Sequence, residues 1–71
     1  MTKNVIVGRL DNNTPIEVED YMSVSSTFAK AGFDKADNEE YKTLGGESVD
    51  GEDQVENGQT YLLTARVKSG Q

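Results

Sequence analysis

Thr60-Tyr61-Leu62-Leu63-Thr64-Ala65-Arg66-Val67-Lys68 is the stretch that decides the fold. Successive side chains of a strand point to opposite faces of its sheet. Tyr61, Leu63, Ala65 and Val67 therefore share one face, and Leu62, Thr64, Arg66 and Lys68 share the other. The first set reads as a core face and the second as a solvent face on which Leu62 is the odd apolar residue. Just upstream, Asn57-Gly58 is a strong turn dipeptide that delivers the chain into this strand.

At the other end of the chain, Lys3 to Leu10 is dense in β-branched residues (Val5, Ile6, Val7) and predicts a first strand. Either Val5 and Val7 or Ile6 and Leu10 must take its inner face, since a slip of one residue exchanges the two sets, and Val5 and Val7 are assigned to it. Asp11-Asn12-Asn13 is a turn signal. Thr14 to Glu19 then alternates, with Ile16 and Val18 on one side and Glu17 and Glu19 on the other. Pro15 places this second strand at a sheet edge, where a missing N–H does least harm.

Between these outer pieces, Ser23 is an N-cap for a helix over residues 23–32. Val24, Thr27, Phe28 and Ala31 form its apolar stripe, Gly32 its left-handed cap, and Phe33 the hydrophobic contact beyond the cap. Met22, just ahead of it, is expected to pack. Its first turn is Ser- and Thr-rich and poor in helix formers, so tertiary packing must hold it. Asp34 to Glu40 reads as loop, Tyr41 to Leu44 as a short strand, Gly45-Gly46 as a break, and Ser48-Val49 as a further short pairing segment. The expected core is Val5, Val7, Ile16, Val18, Val24, Phe28, Ala31, Leu44, Val55, Leu63, Ala65 and Val67.

A hairpin, one helix, short strands and a long last strand specify an α+β domain. The right-handed crossover rule puts the last strand beside the first, parallel, at the centre of the sheet. That arrangement is the β-grasp, with a mixed sheet of four or five strands packed on one helix. Residues 1–71 read as a single such domain with 68–71 as a flexible tail.

Composition limits the chemistry. The 71 residues contain no Cys and no His, which removes thiolate nucleophiles, disulfides, imidazole bases and the commonest zinc ligands. Fifteen Val, Ile, Leu and Phe residues make a small core, and no pocket for paired carboxylates is expected, so an enzyme is not expected. No cofactor is expected either. Asp50, Glu52, Asp53 and Glu56 do not have the spacing of a calcium loop, and Gly45-Gly46 lacks the Lys and helix of a phosphate loop. Asn12-Asn13-Thr14 matches a glycosylation acceptor but reads as a turn. No apolar run reaches the length of a membrane span and no signal-peptide pattern opens the chain, so the expected setting is cytoplasmic.

The net charge of −6 is carried by the middle of the chain: Asp34 to Glu56 holds nine acids and two bases. Such a field repels nucleic-acid phosphates and steers a basic partner. Direct DNA or RNA binding is not expected. The partner-binding candidates are Leu62, Thr64, Arg66 and Lys68 on the last strand, and Glu52, Asp53 and Glu56 in the acidic segment. A second possibility for the same acids is a nucleic-acid mimic that occupies the groove of a basic protein.

The run Gly58 to Gly70 resembles the end of ubiquitin-like sulfur carriers, the thiamine carrier and the small subunit of molybdopterin synthase. Gly58, the series Tyr61, Leu63, Ala65 and Val67, and the spacing to Gly70 carry the resemblance, and Gly46 to Val55 is similar to that family's small hairpin. It implies the β-grasp fold and docking on another protein through the exposed face of the last strand. Gln59 stands where the family has Asp, Ser69 where it has the penultimate Gly, and Gln71 follows Gly70. The Cβ of Ser69 and the side chain of Gln71 oppose threading of a diglycine tail, so the resemblance implies sulfur carriage only after trimming. Small stand-alone domains of this kind occur in phages and mobile elements, which adds an accessory or virion role to the expectations.

Overall fold

The structure, a computed structural model, describes residues 1–66. Val67 and Lys68, expected in the core and on the partner face, and the 68–71 tail lie outside the described residues. Five strands and one helix follow in the order β1 (Thr2–Arg9), β2 (Asn12–Glu19), α1 (Val24–Ala31), β3 (Glu39–Thr43), β4 (Ser48–Val49) and β5 (Thr60–Ala65). They form one mixed sheet of order β2-β1-β5-β3-β4 with α1 packed on one face. β5 runs parallel to β1 and antiparallel to β3, so the last strand is central. This is a small α+β domain of β-grasp-like arrangement.

The β1–β2 hairpin pairs Ile6 with Pro15. Because the Ile6 N–H donates to the Gln59 carbonyl at 3.1 Å, on the β5 side, Ile6 and Pro15 form a non-hydrogen-bonded pair. Pro15 thus turns its nitrogen to the free edge of the sheet, as its position at an edge requires. The same edge carries the Glu17 carbonyl, which accepts from Lys30 Nζ at 3.4 Å. A proline and a lysine blunt the one long exposed edge against strand addition.

The helix is anchored at both ends. Ser23 Oγ accepts from the Ser26 N–H at 3.2 Å, while the Val24 and Ser25 N–H groups donate to the carbonyls of Asp53 (2.8 Å) and Gly51 (2.9 Å). The acidic segment therefore caps the helix with its backbone, satisfying donors that have no partner inside the helix. At the other end Gly32, with φ of +89°, and Phe33 donate to Ala29 and Phe28 in a Schellman arrangement. Phe33 then packs edge-on against Phe28 at 6.3 Å.

Val5, Val7, Val18, Val24, Phe28, Val55, Tyr61 and Leu63 form the buried core, with Ile16, Met22, Ala31, Phe33, Tyr41 and Val49 packed against it. Three expectations are corrected. Leu44, expected in the core, is 67% exposed: Tyr41 and Thr43 of β3 share the helix-side face, so the next residue falls on the opposite one. Ala65 is also exposed, because β5 runs past its pairing with β1, which ends at Leu62. Leu62, expected exposed, is 4% exposed although it faces away from the helix. It lies at the sheet centre between Gly8, which has no side chain, and the half-buried Lys42, whose Nζ pairs with Glu40 Oε2 at 3.6 Å.

Candidate functional site

Register assigns the face of the sheet opposite α1. It holds Asn4 and Ile6 of β1, Pro15 and Glu17 of β2, Thr60, Leu62 and Thr64 of β5, and Glu40 and Lys42 of β3. Thr2 Oγ1 donates to Glu17 Oε2 at 2.6 Å on this face. The Leu44 N–H donates to the Thr60 carbonyl at 3.0 Å, which brings Leu44 opposite Thr60. Pro15, Ile6, Thr60 and Leu44 consequently stand in one row across four strands. Ile6 is 37% exposed, Leu44 more so, and Pro15 is exposed. A shallow groove of about 240 Å3, lined by Asn4, Val5, Ile6, Pro15, Gly58 and Gln59, opens at the Ile6 end.

The partner face of β5 is thus only partly as expected. Leu62 is a floor beneath the surface, Thr64 is half-buried with its Oγ1 buried and unpartnered among the described residues, and Arg66 is exposed with its N–H on the Asn38 carbonyl at 2.6 Å. The exposed apolar residues of this face are Ile6, Pro15 and Leu44 instead. A strict inside–outside reading of β1 contained Ile6; the inward position of Tyr41 was the signal that would have turned Leu44 outward.

Glu52, Asp53 and Glu56 are exposed, and neither Asp53 nor Glu56 shares a hollow with Thr64 or Arg66, whereas Arg66 lines a separate one with Glu40, Asp50 and Gly51. Asp53 Oδ2 accepts from the Asp50 N–H (3.1 Å), and the Glu56 N–H donates to the Tyr61 hydroxyl oxygen (2.9 Å). Asp53 and Glu56, with Glu47, line a hollow of about 340 Å3 next to Val24 and Tyr61. Helix α1 has no acid in its own first turn, and carboxylates beside its N-terminus complement the helix dipole. Among the described residues no group of acids converges to hold a metal ion.

One electrostatic contact stands out. Arg9 grips Glu39 with Nη2 to Oε1 (2.9 Å) and Nε to Oε2 (3.0 Å), and the Ala36 N–H adds a third bond. The Arg9 hydrogen bonds, then that of Ala36, lower the Glu39 carboxyl to about 2. Arg9 also donates to the Asp34 carbonyl, so this cluster fastens the loop after α1 to β1 and is structural.

The fold and this face define a small β-grasp-like domain with an apolar row on its uncovered sheet face. Comparison with protein-family models, curated proteins and solved structures finds no match for the chain. No helix among the described residues is long and apolar enough to cross a membrane.

Proposed function

We propose that this protein is a non-enzymatic interaction module that docks a partner protein on the sheet face opposite α1. The observation that carries the reading is the row Pro15, Ile6 and Leu44, aligned across the sheet and exposed. Aligned apolar side chains in water are an anchor for a partner, and a central apolar anchor supplies most of the binding energy at such surfaces. Glu17 and Glu19 border the row on β2, and the chain carries −6 overall. The partner segment that complements this face is apolar with basic flanks.

The test is capture from the native source with the parent protein and with Ile6→Asp and Leu44→Asp, at low and high salt. A partner held by the row is lost with either variant, while both variants keep the parent's circular dichroism. Neutralising Glu52, Asp53 and Glu56 together leaves that partner bound. The opposite pattern, loss with the acidic triple change alone and a steep fall with salt, would establish the acidic-mimic reading, which the exposed carboxylates beside the 340 Å3 hollow favour. The sulfur-carrier reading rests on the resemblance of Gly58–Gly70. Mass spectrometry of native protein decides it by finding a trimmed, thiocarboxylated end or an intact Gln71.

A further inference from the structure

Asn57-Gly58 occupies the turn that delivers the chain into β5, and the turn is tied to β1 by its reactive groups. The Gln59 N–H donates to the Glu56 carbonyl at 3.1 Å, and Gly58 adopts φ of +82°, a conformation that glycine takes without strain. Asn57 does not have a positive φ, so the turn follows the type II pattern. Asn57 Oδ1 accepts from the backbone N–H of Asn4 at 2.8 Å. The Gly58 N–H donates to the carbonyl of that same Asn4 at 2.7 Å. Asn57 thus uses its side-chain amide as a substitute for backbone. With Ile6 N–H on the Gln59 carbonyl, these bonds extend the parallel β1–β5 ladder back into the turn.

The two groups that bind Asn4 are also the two that react in deamidation. In that reaction the Gly58 nitrogen attacks Asn57 Cγ, ammonia leaves, and a five-membered succinimide forms. Water then opens the ring at either carbonyl, giving aspartate or isoaspartate. Asn57 is exposed, so water is available, and glycine offers no side chain to hinder the attack. In the fold, however, the Gly58 N–H is engaged and the Asn57 carbonyl is held toward β1. Both bonds must open before nitrogen and carbon can meet.

We propose that Asn57 is a modification site whose deamidation is gated by its attachment to Asn4, and that the isoaspartyl product detaches the start of β5 from β1. Aspartate at 57 keeps a carbonyl-type oxygen at the same place and so keeps the Asn4 bond. Isoaspartate routes the backbone through the former side chain and adds a carbon to the turn. It cannot keep both bonds in register.

The experiment follows the mass increase at Asn57 at neutral pH in the native protein, in the protein unfolded in urea, and in a peptide of residues 55–61. Deamidation in the native protein should be at least tenfold slower than in the peptide, as expected when two hydrogen bonds must open first. The rate should rise to the peptide's when the chain is unfolded. A native rate equal to the peptide rate overturns the gate, and so does a slow rate that persists in urea. The isoaspartyl protein, separated from the aspartyl form, should unfold at lower urea than the parent and lose the protected Asn4 amide in hydrogen exchange. Asn57→Asp should keep both near the parent values. An isoaspartyl form that matches the parent in both refutes the detachment.

Discussion

Replacing Leu62 with Ala separates the burial of this side chain from its apparent place on a solvent face. Leu62 is 4% exposed at the centre of the sheet, flanked by Gly8 and Lys42. A buried Leu contributes roughly 1.5–3 kcal/mol relative to an exposed one, and Leu→Ala changes in cores cost about 2–5 kcal/mol once the cavity is included. The cover over Leu62 is the flexible Lys42 stem rather than a helix, so the site can partly collapse. The cost should fall at the low end, about 2 kcal/mol. A domain of this size has a margin of about 4–10 kcal/mol, and 1 kcal/mol moves its midpoint by roughly 4–8 °C. Thermal melting followed by circular dichroism should therefore show a drop of about 8–16 °C for Leu62→Ala. Leu63→Ala, which opens a cavity in the core beneath α1, should show a larger one. An unchanged melting temperature for Leu62→Ala would mean that the side chain stands in water, and the packing of the uncovered face described above would be wrong.

Gly8→Ala should be poorly tolerated: φ is +147°, and a Cβ there would press on the Asn12 carbonyl oxygen and lie 2.5 Å from Asn13 Cα. Urea unfolding should show a loss of more than about 1 kcal/mol, with strain as its source. Ser23→Ala removes the side-chain acceptor for Ser26 N–H and should cost about 0.5–2 kcal/mol in the same assay. Glu39 has a folded pKa of about 2, below its unfolded value, so its contribution is complete above the ordinary carboxylate range and is lost as pH falls toward 2. Between pH 4.5 and 2 the stability of Glu39→Gln should fall less steeply than that of the parent, as read by urea midpoints across the range. Equal slopes would mean that Arg9 does not hold the carboxylate in solution.

The sequence by itself determined the order of elements, the limits of α1 and the parallel placement of the last strand beside the first. Alternation in β5, the Ser23 cap, Gly32 with Phe33, and Pro15 are local signals, set by strand pleat, helix geometry and the missing N–H of proline. Crossover handedness then left one place for the last strand. The choice of Val5 and Val7 over Ile6 and Leu10 was made by the tertiary structure: one face of β1 must meet the helix, but a slip of one residue exchanges the two sets. The tertiary structure alone decided burial on the other face. Alternation tells which side a residue takes, but exposure there depends on the neighbours across the sheet. Leu62 is buried at the centre of the sheet, where its neighbour Lys42 is itself half-buried, and Leu44 is exposed because it falls on the face opposite α1 just past the end of β3. The acidic segment shows the same limit. Its charge was legible, but its work as a backbone cap for α1 depends on carbonyls of Gly51 and Asp53 meeting N–H groups far away in the chain, which no local pattern encodes.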